Sequence, residues 1–191
     1  MSTHRHDTWE LPPWALDLVD EWDGSDADDA ARMRLVIDLA ACNVAEATGG
    51  PFGAAIFARN TGELVAIGVN AVVPNGCSHA HAEMIAIARA QLTLGTYDLG
   101  ANGRDHELVT SCEPCAMCLG AIPWSGIRRL VCGATNEDAG AIGFDEGDRA
   151  DDWEASLRSR DIEVVREVCG AEARDVFQQY VDANGEIYNS R

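Results

Sequence analysis

Two short segments constrain every fold open to this chain: His81-Ala82-Glu83 and, further on, Pro114-Cys115-Ala116-Met117-Cys118. One imidazole and two thiolates make a zinc ligand set. Three protein ligands leave the fourth tetrahedral position open to water, which separates a catalytic zinc from a closed structural one. The fold must therefore carry both segments to one point. Cys115 and Cys118 are three apart, so on a helix they share a face with about 5–6 Å between Cβ atoms, and both sulfurs can reach one ion. His81 and Glu83 are two apart and would diverge on a mid-helix surface; they converge only near a first turn. The spacing predicts that each half-site lies at a helix N-terminus, where the positive end of the helix dipole supports thiolates. Glu83 is then a carboxylate held beside the metal's water, placed to move its protons.

Taken alone, Cys115-x-x-Cys118 also suits a structural zinc or a redox pair. The upstream His-x-Glu and the proline before Cys115 favour the catalytic reading. Cys112, in Cys112-Glu113-Pro114-Cys115, raises a Cys112–Cys115 pairing, but its place at the end of a strand favours a structural role. His79 rivals His81 as a ligand, yet only His81 has Glu two residues on; His79 is left as a hydrogen-bonding loop residue or a substrate contact. Cys42, Cys132 and Cys169 stand isolated in apolar runs and read as small core residues.

At 191 residues the chain is most simply one domain with modest extensions. Its 47% apolar content is ample for a buried core. The formal charge of −18 argues against a polyanionic partner, because nucleic-acid binders carry a basic patch that displaces counterions. The one basic pair, Arg128-Arg129, falls in an expected strand. A small neutral or weakly charged substrate suits this surface better, and a salt-adapted cytoplasm is another source of such acidity. Seven cysteines, no apolar leader in Met1-Ser2-Thr3-His4-Arg5-His6 and no membrane-length apolar run point to a reduced cytoplasm.

Residues 1–24 read as an extension packed on the body, with Trp9 ahead of Pro12-Pro13 and Trp14, Leu16, Val19 and Trp22 on a short helix after them; residues 25–191 form the main domain. Asp23-Gly24-Ser25-Asp26 is a break followed by an N-cap. Met33, Val36, Ile37, Ala40, Ala41 and Val44 recur at helical spacing until Gly49-Gly50-Pro51. Phe52–Ala58 and Leu64–Val72 make a hairpin about Asn60-Thr61-Gly62, and Pro74-Asn75-Gly76 a loop. A helix from about Ala80 to Gly95 is apolar so far round that it is expected to be covered on most sides. Leu108–Ser111 is a buried strand, a helix opens near Pro114, and Ile127–Cys132 is a further strand. Asn136–Gly147 holds a helical turn and a loop. Ile162–Val168 is the last strand, and Val176, Phe177, Tyr180 and Val181 stripe a closing helix. Strands alternating with helices suggest a layered α/β sheet.

The pattern H-x-E…P-C-x-x-C is a signature of zinc deaminases acting on nucleobases. From about Gly50 to Gly147 the chain resembles the cytidine deaminase superfamily, and within it most closely the small bacterial guanine deaminases. The longest matching piece is Thr110-Ser-Cys-Glu-Pro-Cys-Ala-Met-Cys-Leu-Gly-Ala-Ile122; Gly50-Pro51-Phe52-Gly53-Ala54 and Gly143-Phe144-Asp145 add to it. The resemblance implies a three-layer α/β/α sandwich with a five-stranded mixed sheet, a homodimer, and one zinc per subunit on His81, Cys115 and Cys118 with Glu83 as proton carrier. It further implies that Asn70 hydrogen-bonds the base, an amide being able to donate and accept on one edge. Phe52 would then lie near the base, and Asp145 would belong to the same loop of the pocket. Trp124, in Ala-Ile-Pro-Trp, would either wall the pocket or pack in the core. Three departures bear on the substrate. Glu146 stands where guanine deaminases carry a second Asp that contacts substrate. The segment after Gly147 does not follow their ending, where the tail closes the pocket, so the role of Gly185-Glu186-Ile187-Tyr188-Asn189 is open. Val73-Pro-Asn-Gly-Cys-Ser-His79 replaces their usual Asp-Pro-Thr.

The reading that results is a zinc-dependent hydrolytic deaminase of an aminated heterocycle, guanine first. A nucleoside, cytosine or cytidine, a triazine or a pterin are alternatives, and a tRNA adenosine deaminase is disfavoured by the charge. A zinc-stabilised binding module, from a different class, would keep the cysteines and need no Glu83.

Overall fold

The structure, a computed structural model, describes residues 10–20, 22, 24 and 28–189. Its centre is a five-stranded mixed sheet in the order β2-β1-β3-β4-β5, made of β1 (Gly53–Ala58), β2 (Leu64–Val69), β3 (His106–Cys112), β4 (Arg129–Ala134) and β5 (Glu163–Val165). The hairpin β1–β2 is antiparallel, as is β1 on β3, whereas β4 and β5 continue parallel from β3. The helices are α1 (Pro13–Asp20), α2 (Asp29–Ala45), α3 (Val72–Asn75), α4 (Ala82–Leu94), α5 (Ala116–Ser125), α6 (Asn136–Ala141), α7 (Trp153–Arg158) and α8 (Gly170–Asp182).

Strand side chains alternate between faces with period two, and both faces are apolar. Ala55, Phe57, Val109 and Val131 join α2 and α8 in one core; Ala54, Ile56, Leu108, Leu130 and Cys132 join α4, Ile122 of α5 and α7 in the other. This is the three-layer α/β/α arrangement. Gly68 shows how tightly α4 is seated on β2: a Cβ there would lie 2.1 Å from the Ala82 carbonyl oxygen and 2.7 Å from the Ala86 nitrogen. That backbone-to-backbone approach fixes the start of α4, which has His81 at its cap.

Helix boundaries follow capping chemistry. The Asp28 side chain accepts from the Ala31 N–H and opens α2, and Gly95 closes α4 in the left-handed conformation. Leu11, just before α1, and Ala15 within it are buried, and Trp14, Leu18 and Val19 of α1 pack on the same core with Trp22 beyond its end, while Leu16 is exposed; Trp9 and most of residues 23–26 lie outside the described residues. Several expectations need correction. The Pro74 segment is a helical turn closed by Gly76, and β2 ends at Val69. The last strand is short, pairing with β4 only over Glu163–Val165. α7 had no counterpart in the sequence reading. Cys132 is fully buried, but Cys42 and Cys169 are only half-buried. As expected, α4 is covered on most sides, every residue of Ala82–Gln91 being buried or half-buried; only its end opens to solvent, where Leu92 is largely exposed, as is Tyr97 just beyond the helix.

At the end of β3 farthest from the metal-binding segments, Glu107 is buried between Arg32 (2.5 Å) and Arg129 (2.7 Å), and Arg129 also grips both carboxylate oxygens of Asp29 and reaches Glu163. The hydrogen bonds from Arg129 hold the Asp29 carboxyl below its usual range. Breaking such a buried network strands a charge. Arg129→Met is expected to cost about 3 kcal/mol in chemical denaturation while leaving zinc content and turnover near wild type.

Candidate active site

Two helix starts meet beside the ends of the central strands. His81 is the N-cap of α4, with φ −76° and ψ 153°, so its ring projects past the helix tip while Glu83 sits in the first turn. Cys115 occupies the same place on α5, with φ −62° and ψ 170°, and Cys118 lies in the first turn behind it. Cys115 is thus the cap and Cys118 the third helical residue, adjacent positions from which both sulfurs reach one point, as their spacing suggested. The placement of both half-sites at helix N-termini follows the expectation. The ligand atoms of His81, Cys115 and Cys118 all lie within 4.8 Å of one another, and the Cys115 sulfur is 3.6 Å from His81 Nδ1.

The donor set fits zinc, which takes thiolate and imidazole together. A hydrogen bond from Cys118, with His81 alongside, draws the Cys115 thiol down to about 4 against the effect of burial. Burial, followed by the neighbouring Cys115, pushes the Glu83 carboxyl up to about 7, and the same two causes push Glu146 to about 7. Burial opposes a charged His81, but the Cys115 and Glu83 side chains outweigh it and raise the imidazole. Acidic groups crowded this closely are what a divalent cation neutralises.

A cavity of about 160 Å³ opens on this cluster. Phe52 (from the approach to β1), Asn70 (just after β2), Asp145 and Glu146 reach it with Glu83, as the sequence suggested. The Asn70 side-chain nitrogen is buried without a partner, while its oxygen accepts from the Val72 N–H at 3.3 Å. Glu146 is positioned from both sides: its carbonyl accepts from the Ala116 N–H at 2.9 Å, and Gly147 N–H binds Asp145 at 2.9 Å.

Two predicted substrate contacts lie elsewhere. Trp124 is 86% exposed. Ile122 faces the core from α5, and at 3.6 residues per turn two further positions turn Trp124 about 200° away from it. His79 is exposed in the loop before α4, its Nδ1 3.2 Å from the Cys77 sulfur, and does not line the cavity. Cys112 is free and buried, its thiol donating to the Thr135 carbonyl at 3.4 Å, so it pairs with neither cysteine.

Sequence reasoning missed Glu113 and left the tail undecided. Glu113 is buried beside the cavity and accepts from Arg149 Nη1 at 3.1 Å and Arg166 Nε at 2.5 Å. Both guanidiniums lie over the Trp153 ring. The residue stood in plain view between Cys112 and Pro114, but its partners lie on distant segments. Tyr188 lines the cavity with its hydroxyl buried and unpartnered, and Asn189 ties the tail down, accepting from Asp145 N–H at 2.9 Å and donating to the Gly143 carbonyl at 2.8 Å.

With this geometry in place, comparisons with known proteins are direct. The family model for the cytidine and deoxycytidylate deaminase zinc-binding region matches residues 26–134. Guanine deaminase of Bacillus subtilis (strain 168) is 41% identical over 114 residues, covering 60% of this chain and 69% of that one. The structure of guanine deaminase from Nitrosomonas europaea is similar with a TM-score of 0.85 at 45% identity, covering 94% of this chain and 97% of that one. The structure of NE0047 in complex with 2,6-diaminopurine matches with a TM-score of 0.87 at 46% identity, over 94% and 95% of the two chains. Coverage of 94% takes in the later segments, so the part beyond Gly147 that departs from the expected ending has a counterpart in a guanine deaminase after all. This chain belongs to the cytidine and deoxycytidylate deaminase family and is a zinc-dependent deaminase.

Proposed function

We propose that the protein hydrolyses guanine to xanthine and ammonia, with His81, Cys115 and Cys118 holding zinc, Glu83 carrying protons, and Asn70, Phe52, Asp145 and Glu146 receiving the base. The observation that carries this reading is the buried Glu83 carboxyl facing the ligand triad in the same small cavity as the unpartnered Asn70 amide. Similarity to guanine deaminases over the whole fold directs the choice of base.

Zinc in this site supplies a Lewis acid that lowers the pKa of water, making a nucleophile at neutral pH. Glu83, a buried carboxyl in the first turn of α4, is placed for both taking and giving protons. It accepts the proton of the attacking water and passes it to the ring nitrogen beside the aminated carbon. After water has added, it accepts the remaining hydroxyl proton and delivers it to the departing amine. Water and guanine are thereby consumed and ammonia and xanthine formed, with Glu83 returned to its starting state. The Asn70 amide nitrogen is free to donate to a ring acceptor, and Phe52 offers an aromatic face. Ligand pockets for drug-sized molecules run to about 300–1,000 Å³; a cavity of about 160 Å³ lined in part by Tyr188 suits a bare base better than a nucleoside.

The test is ammonia release and xanthine absorbance with guanine, guanosine, adenine, cytosine, cytidine, a triazine and a pterin. Guanine turnover with guanosine inert supports the reading; preference for any other compound replaces it.

Residues 25–191 form the deaminase domain in this proposal, and residues 1–24 an extension seated on it, as the packing of α1 on α2 supports. No helix among the described residues is long and apolar enough to cross a membrane. Seven free cysteines suit a reducing compartment such as the cytoplasm. The exposed side chains of Leu92, Tyr97, Met117 and Trp124 lie on α4, α5 and the turn that joins them through the Leu99 N–H to Ser125 carbonyl bond; a second copy of the chain would cover them and give a homodimer. Wild-type protein is expected to sediment as a dimer and Trp124→Glu as a monomer in analytical ultracentrifugation.

A further inference from the structure

The residue that recognises the base is itself held by a polar cluster on the far side of its backbone. Asn43 lies in the last turn of α2, fully buried beside Val44 and Ala40, where an amide is costly unless its hydrogen bonds are made. All of them are. Its Nδ2 donates to the Asn70 carbonyl at 2.9 Å and to the Gly50 carbonyl at 2.8 Å, and its Oδ1 accepts from the Thr48 hydroxyl at 2.7 Å. The Trp14 indole N–H, from α1, donates in turn to the Thr48 oxygen at 3.2 Å.

The two carbonyls belong to the two segments that wall the cavity. Asn70 follows β2; Gly50 precedes Phe52, whose N–H binds the Gly50 carbonyl and whose own carbonyl accepts the Asn70 N–H at 3.0 Å. The approach is too close for any side chain at residue 49: a Cβ there would lie 1.8 Å from the Asn70 carbonyl oxygen and 2.7 Å from Asn43 Nδ2. At Gly50 a Cβ would meet the Asn70 Oδ1 at 3.0 Å. Asn43 thus fixes the backbone of Asn70 while leaving its side-chain nitrogen unpartnered in the cavity.

We infer that Asn43 is a positioning residue for base recognition, acting through the backbones of Asn70 and Gly50, with Thr48 and Trp14 fixing its amide. This rests on the reading that Asn70 receives the base. Through Trp14 the cluster also gives α1, a segment outside the matched family region, a part in substrate binding.

The experiment measures kcat, KM for guanine, zinc content and melting temperature for zinc-loaded Thr48→Val, Asn43→Ala and Asn70→Ala, and for Thr48→Val combined with Asn70→Ala. A net hydrogen bond contributes about 0.5–1.5 kcal/mol, so KM is expected to rise about three- to tenfold in Thr48→Val, and more in Asn43→Ala. Zinc should stay at wild-type content and kcat within about twofold, because the reacting carboxyl is untouched. On the Asn70→Ala background the Thr48→Val change should raise KM no further. Should Asn43→Ala fail to fold, Thr48→Val decides alone, since it removes only a hydroxyl at a half-buried position. The inference is overturned if folded Thr48→Val keeps the wild-type KM, if its effect persists in full beside Asn70→Ala, or if kcat and melting temperature fall while KM holds. An Asn70→Ala enzyme with unchanged KM would remove the role of Asn70 and the inference with it, and a wild type inert toward guanine would remove the substrate instead.

Discussion

Glu83→Gln is expected to bind zinc as wild type does and to release ammonia from guanine about 10³-fold more slowly, within the range that positioned acid–base groups supply. The reasoning begins with placement. Glu83 is in the first turn of α4, buried, and not among the three residues whose donor atoms converge. Gln preserves its shape and can still hydrogen-bond, but it can neither accept a proton from water nor deliver one to the leaving amine. Burial, followed by the neighbouring Cys115, raises the Glu83 carboxyl in the metal-free chain; a carboxyl can hold or release a proton and the amide can do neither. Zinc content by elemental analysis and ammonia release by coupled assay read the two effects separately. Loss of zinc would make Glu83 a ligand. Undiminished turnover would show that Glu83 carries no proton in the reaction.

A still larger loss is expected for Cys118→Ala. Cys118 is fully buried behind Cys115 and supplies one of two sulfurs to the metal set; its removal leaves an imidazole and one thiolate. Two ligands cannot close a tetrahedral protein site. Zinc should be absent after dialysis, turnover should fall to background, and the melting temperature should drop, because a metal that binds only the folded chain adds its binding free energy to stability. Cys112→Ala is the control. Its thiol donates to the Thr135 carbonyl and faces no ligand, so this variant should keep zinc and turnover. Equal zinc loss in both variants would place Cys112 in the metal set and overturn the assignment.

The parts of the site legible in the sequence are those in which chemistry and spacing are local. His81 and Glu83, or Cys115 and Cys118, reveal themselves within a few residues, and their spacing already required helix tips. The helices α2, α4 and α8 carry long apolar periods and could be located from them. What could not be read depends on partners distant in the chain. Glu113 is a carboxylate beside a proline until Arg149 and Arg166 arrive to neutralise it. Asn43 interrupts an otherwise apolar helix face, and only the carbonyls of Gly50 and Asn70 explain it. Tyr188 reaches the cavity because the tail folds back and Asn189 fastens it to the Gly143–Asp145 loop. Trp124 was misplaced because the resemblance brings it near the ligand helix without saying which way it turns; Ile122 takes the inward position and leaves Trp124 outside. The short α7 spans fewer than two turns, too little for a period to show.

The central claim is that one metal ion is held by three side chains and no fourth. X-ray absorption at the zinc edge of the purified protein measures this most directly. The account predicts one zinc per chain with two sulfur neighbours, one imidazole and no other protein ligand. A protein that takes up no zinc, or a zinc with a third sulfur or a second imidazole, would contradict it.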